Sequence, residues 1–158
     1  MELKQIGIVR SPHRQSAGTP VQVAYAAGFT GEVEVFSPFV AGLKDLAGFE
    51  RIWLVYWFDR AAFAQLEVTP YLDVEPHGIF ATRSPCRPNP LGFSPVRLLG
   101  IEDNIIRVAD LDILDGTPLL DIKPYVPSFD AFTASRIGWC SRLVDGMKTV
   151  ADERFTAP

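Results

Sequence analysis

Apolar residues in this chain come in short runs cut by Gly, Pro and Asx residues. Seven runs rich in Ile, Val, Phe, Trp or Tyr, each bounded by turn residues, read as strands at residues 3–9, 31–36, 51–58, 78–81, 96–101, 105–113 and 119–125. Asp103-Asn104 falls between two of them, and its short polar side chains tolerate the positive φ of a two-residue hairpin turn. Helical spacing is confined to residues 40–46, where Leu43 and Leu46 share a face, and to a second short piece at 144–151. With 12 Gly and 13 Pro, longer helices have little room. The pattern predicts an all-β fold, mainly an antiparallel β-barrel, with one or two short helices. It is not a Rossmann fold: no strand is followed by a G-x-G-x-x-G phosphate loop.

Size fits one domain over residues 1–158, with no separate C-terminal domain expected: 158 residues, 47% hydrophobic, bury a sufficient core without disulfide or metal. Two Cys and two His, far apart in sequence, offer no zinc spacing, so no metal is expected. The polar start MELKQIGIVRSPHRQ lacks an apolar export segment, and no run approaches ~18 apolar residues, which points to a cytoplasmic protein without membrane association. IWLVYWF (52–58) carries more large apolar groups than one inward face of a small barrel buries, so its other face is expected to meet a second copy in a homodimer. Cys86 and Cys140 read as core, and His13 and His77 as exposed loop residues.

Charge sharpens the picture. The net charge of −4 argues against gripping nucleic acid by bulk electrostatics, yet residues 76–101 carry +3 from Arg83, Arg87 and Arg97 with no acid, against −7 elsewhere. Of the 15 basic residues 11 are Arg, the side chain suited to a two-pronged contact with carboxylate or phosphate. Five Pro between Pro76 and Pro95 fix φ and remove donors, which predicts a rigid rim loop rather than a central strand. Such a loop holds Arg83, Ser84, Arg87 and Asn89 in place and lowers the entropy lost on binding a polar ligand. Downstream, Asp115 and Thr117 suit a turn in Asp-Gly-Thr-Pro, while Asp121 and Lys123, two apart on a strand, share one face.

IGIVRSP (6–12), GTPVQ (18–22), GLKDLAGFERIWLVYWF (42–58), ATRSPCRPNPLGFS (81–94) and LDILDGTPLLDIKPY (111–125) together resemble the TsaA-like, TrmO-type tRNA methyltransferases, over nearly the whole chain and in the family's order. The resemblance implies an S-adenosylmethionine-dependent β-barrel that works as a homodimer. It implies methylation at N6 of threonylcarbamoyladenosine, beside the anticodon of tRNA.

Carried onto this chain, the family's cofactor contacts fall at Val23, Ala24 and Tyr25, at Asp59 and Arg60, at Arg83, at Phe93, and at Ala109, Asp110, Leu111 and Asp112. Asp112 could accept from the ribose or the amino group, and Phe93 could cover a flat face. Arg83 could fork to the cofactor carboxylate or face a tRNA phosphate. Backbone around Val23 and Leu111 would read the adenine edge. Phe93 reads equally as core, and Asp59 as a solvated strand end.

Transfer of a sulfonium methyl needs alignment and loss of the N6 proton, for which Asp115, Asp121 and Tyr125 are candidate acceptors. Lys123 or Arg87 could hold the threonyl carboxylate or a phosphate, beside Ser84 and Asn89. Two other classes fit the sequence: a small-molecule methyltransferase of the same fold, and a non-enzymatic S-adenosylmethionine-binding regulator.

Overall fold

A computed structural model describes residues 2–143 and 149–156. Among them, six antiparallel strands close a barrel in the order β1 (Gly7–Arg10), β2 (Thr30–Val35), β7 (Ile105–Ala109), β6 (Leu91–Glu102), β3 (Arg51–Trp57) and β8 (Pro118–Pro124), with β8 pairing back to β1. A two-stranded sheet of β4 (Glu67–Val68) and β5 (His77–Gly78) stands beside it. Alternation fixes the inside: Val9, Val33, Val35, Ile52, Leu54, Val96, Ile106, Val108 and Leu119 meet in one apolar core. A second cluster under the small sheet joins Val68, Ile79, Cys86 and Phe155.

The expected barrel is present, with differences in its parts. Residues 3–5 are exposed and the first strand begins at Gly7. The run at 105–113 leaves the sheet after Ala109, because Asp110 takes φ 63° and turns the chain away. Residues 79–81 form a 3-10 turn instead of a strand, and β4 lay below the sequence signal. The expected helix at 40–46 is two 3-10 turns, Ser37–Leu43 and Leu46–Gly48, separated where Asp45 takes φ 66°. A helical turn unforeseen in the sequence, α1, spans Pro127–Asp130. Of the second expected helix, residues 144–148 lie outside the described residues, and Val150 bridges to Pro20.

The expectation of a loop up to Pro95 is corrected. β6 starts at Leu91 and pairs with β3 through Trp53↔Pro95, whereas its ladder to β7 starts only at Arg97↔Ala109. Pro95 therefore sits where, among the described residues, the far side of β6 has no paired strand, and its missing N–H breaks no ladder bond there. The β6–β7 hairpin turns at Asp103-Asn104 as expected, with the positive φ, 53°, on Asp103 alone.

Candidate active site

The stretch left as loop, 82–90, is held from within. Arg87 Nη1 donates to the carbonyl oxygens of Thr82 (2.8 Å), Ile79 (3.2 Å) and Ser84 (3.4 Å), and the Ser84 hydroxyl accepts from Cys86 N–H. Cys86 is buried, its thiol pushed up by burial, and serves as core. Cys140 is only half-buried, on a 3-10 turn, so its assignment to the core is corrected. The two histidines are corrected as well. His13 is buried, with Nε2 donating to Leu111 O at 2.9 Å, and His77 stacks on Trp139 while donating to Asp73. Both rings hold chain segments together.

The 82–90 loop, the 3-10 turn Val23–Tyr25, the starts of β6 and of the segment after β7, and the C-terminal segment enclose a groove. Its main lobe measures about 730 Å³ and an adjoining lobe about 560 Å³. Gln22, Tyr25, Arg83, Phe93 and Asp112 line both. Residues 149–156 build one wall: Ala151 N–H donates to Thr19 O (2.7 Å) and Ala62 N–H to Phe155 O (2.9 Å), which ties the segment after β1 to the end of β3.

Arg83 reaches across this groove, donating to Gln22 Oε1 at 2.6 Å with its guanidinium 5.3 Å from the Phe93 ring. Phe93 is 50% exposed, so it is a wall and not core. Asp112 takes a hydrogen bond from Ser94 Oγ at 2.7 Å. Burial pushes its carboxyl up to about 6, against the pull of Ser94, of its own and Val23's N–H groups, and of the Arg83 charge. Asp110, on the smaller lobe, is tied to two guanidinium groups. Burial would raise its carboxyl, but the bonds from Arg97 Nε (3.4 Å) and Arg51 Nη2 (2.9 Å) outweigh that and hold it below the usual range.

Of the other expected cofactor contacts, Val23, Ala24 and Asp110 line the smaller lobe, and Asp59 and Arg60 the larger. Ala109 and Leu111 are buried outside the lining, and Leu111 has both backbone groups engaged, its N–H with Phe29 O and its carbonyl with His13. Ser84 and Arg87 line the larger lobe, while the exposed Asn89 lies outside the lining. Among the expected proton acceptors, Tyr125 lines the smaller lobe. Asp115 accepts from Ser11 N–H and pairs with Arg14, and Asp121 pairs with Lys123 at 2.7 Å. Those carboxylates anchor a turn and a strand face. Among the described residues, no group of His, Cys, Asp or Glu is arranged to hold a metal, and no helix is long and apolar enough to cross a membrane.

Gln22, Tyr56 and Ser94, which lie inside the quoted motifs, and Trp139, which lies outside them, belong to the site's structure although none was expected there. Each is ordinary for its element, and only the fold brings Gln22 to Arg83 or Ser94 to Asp112.

Residues 8–131 match the model of the tRNA-methyltransferase O N-terminal domain. A protein of Pyrococcus abyssi, described as a probable S-adenosyl-L-methionine-binding protein, is 50% identical over 150 residues, covering 95% of this chain and 82% of its own length. The tRNA (adenine(37)-N6)-methyltransferase of Escherichia coli K12 is 33% identical over 136 residues, which cover 80% of this chain and 58% of that enzyme. The crystal structure of TrmO from Pseudomonas aeruginosa superposes with a TM-score of 0.74 at 36% identity, covering 88% of this chain and 62% of that one. This chain belongs to the tRNA-methyltransferase O N-terminal domain family.

Proposed function

We propose that this protein is a cytoplasmic, homodimeric methyltransferase that uses S-adenosylmethionine to methylate N6 of an anticodon-loop adenosine in tRNA, with threonylcarbamoyladenosine as the acceptor. The coarse part follows from family membership: an S-adenosylmethionine-dependent methyltransferase. The observation that carries the reading is the groove, where four separate stretches bring together Asp112, Arg83, two exposed rings (Tyr25 and Phe93) and the Val23 backbone.

These groups fit the cofactor. Arg83 offers a planar fork for its carboxylate, Asp112 an acceptor for ribose hydroxyls or the amino group, and Tyr25 and Phe93 flat apolar faces for the adenine. When bound, S-adenosylmethionine supplies an electrophilic methyl that passes to the acceptor nitrogen while the sulfur keeps the bonding electron pair. The chain's part is chiefly alignment, which can be worth ~7–11 kcal/mol of barrier. The nitrogen's proton leaves as the N–C bond forms; of the acceptors named from the sequence Tyr125 lines the groove, and its hydroxyl would pass its own proton to water as it takes up the nitrogen's. Ser84 and Arg87 stand in the larger lobe to receive the acceptor's anionic group.

A −7 remainder around a +3 segment suits recognition of one splayed nucleotide better than a grip on a long polyanion. With labelled cofactor, the protein should methylate tRNA carrying threonylcarbamoyladenosine and leave unmodified tRNA unlabelled, with a salt slope of few phosphate contacts. Equal labelling of both tRNAs would reject the threonylcarbamoyl group as the feature recognised, and labelling of neither would reject tRNA as the acceptor in favour of a small molecule or of binding without turnover.

A further inference from the structure

A hydrogen-bonded chain runs from the barrel interior to the groove. Tyr56 points inward from β3 and is 5% exposed; its hydroxyl lies 3.1 Å from Ser94 Oγ, which lies 2.7 Å from Asp112 Oδ1. The direction of the chain follows from proton count. An ionised carboxylate only accepts, so Ser94 donates to it, and Ser94 Oγ is then left to accept from Tyr56. Burial holds the Tyr56 phenol well above its ordinary range, so it remains a protonated donor. Ser94 is 1% exposed, which excludes bulk water as a substitute partner. The ring itself is fixed. A Cβ on Gly92 would stand 2.2 Å from it, and Phe58 packs edge-on at 5.2 Å.

We propose that Ser94, held in turn by Tyr56, is a positioning residue for Asp112: by donating to Oδ1 it orients the carboxylate, which the N–H groups of Val23 and of Asp112 itself also approach, so that a remaining lone pair meets a donor from the bound cofactor. This rests on the reading of the groove as the S-adenosylmethionine site. Around Asp112 stand Tyr56 from β3, Ser94 from β6, Arg83 from the 82–90 loop, and the Val23 N–H with Tyr25 from the 3-10 turn. Asp59 and Arg60 line the larger lobe, Tyr125 and Arg51 the smaller, and Asp110 is turned to Arg51 and Arg97. Among these, the Ser94 bond is the strongest contribution favouring the charged form of Asp112, so its removal raises the pH at which the carboxylate is lost.

The test is calorimetric binding of S-adenosylmethionine across pH, which needs no acceptor. Wild-type affinity should fall on the acid side with a midpoint at about 6. Ser94→Ala should weaken binding at neutral pH about tenfold, the loss of one hydrogen bond to a charged group, and move the acid limb upward. Tyr56→Phe should move it the same way by less, Ser94→Thr should return it toward wild type, and Asp112→Asn should abolish it. An acid limb unmoved in Ser94→Ala overturns the proposal, and if that variant loses its fold, an unmoved limb in Tyr56→Phe does so. Wild-type protein that binds no S-adenosylmethionine at any pH overturns the site reading itself, and the proposal with it.

Discussion

Arg83 is the residue on which the sequence and the structure converge most directly. The motif marks it, and the fold places its guanidinium over Phe93 and against Gln22, with Asp112 near enough to feel its charge. The loop keeps its shape through Arg87, Thr82 and Ser84, independently of Arg83. Arg83→Ala should therefore leave the melting temperature near wild type and reduce turnover at least a hundredfold, the scale of losing a charge-assisted fork. Arg83→Lys should not restore it, because an ammonium lacks the planar pair of donors. Near-normal turnover in either variant would remove Arg83 from the site. Asp115 and Asp121 show the reverse. The shared face of Asp121 and Lys123 was legible and the two pair at 2.7 Å, whereas the pairing of Asp115 with Arg14, far away in the sequence, became visible only in three dimensions.

At the scale of elements, β-branched runs and turn residues located the barrel strands because a strand's two faces write a period of two into the sequence. The errors fell where a local conformation overrides that period. Asp110 ends β7 by its left-handed backbone, and Pro95 lies inside β6 because that stretch, among the described residues, has no paired strand on one side. Close approach of strands is another such feature. A Cβ on Gly31 of β2 would lie 2.4 Å from Arg10 O and 2.5 Å from Leu111 Cδ2, the first a backbone atom that cannot step aside. Gly31→Ala should cost about 1–3 kcal/mol of stability in denaturant unfolding, toward the upper end, as forced overpacking does. An unfolding midpoint equal to wild type would show that β1 and β2 separate more readily than this packing allows.

For the molecule as a whole, β3 turns Ile52, Leu54 and Tyr56 into the barrel and leaves Trp53, Val55 and Trp57 half-buried on the outside. Trp53 continues into an outer aromatic row with Phe93 and Tyr125, at ring distances of 5.4 and 5.7 Å. Phe93 and Tyr125 belong to the groove, so the part expected to be covered by a second copy is the outer face of β3 itself, Trp53, Val55 and Trp57. Sedimentation at micromolar concentration should give a dimer, and Trp53→Lys should shift it toward monomer by placing an unpaired charge in the contact. A wild-type protein that sediments only as monomer would refute the expectation.

Periodicity, turn residues and rare motifs are written locally, so the all-β architecture, most strand positions and the segments that reach the groove were legible without coordinates. Which of their groups are available depends on long-range packing. Barrel closure and the pairing of residues 149–156 with both 18–21 and 61–62 set the groove's walls. The same packing engaged Leu111's backbone with His13 and Phe29 and brought Tyr56, Ser94 and Asp112 into one chain. Those contacts join residues far apart in sequence. Local pattern carries no information about which distant partner will satisfy a buried polar group, yet burial makes that partner obligatory.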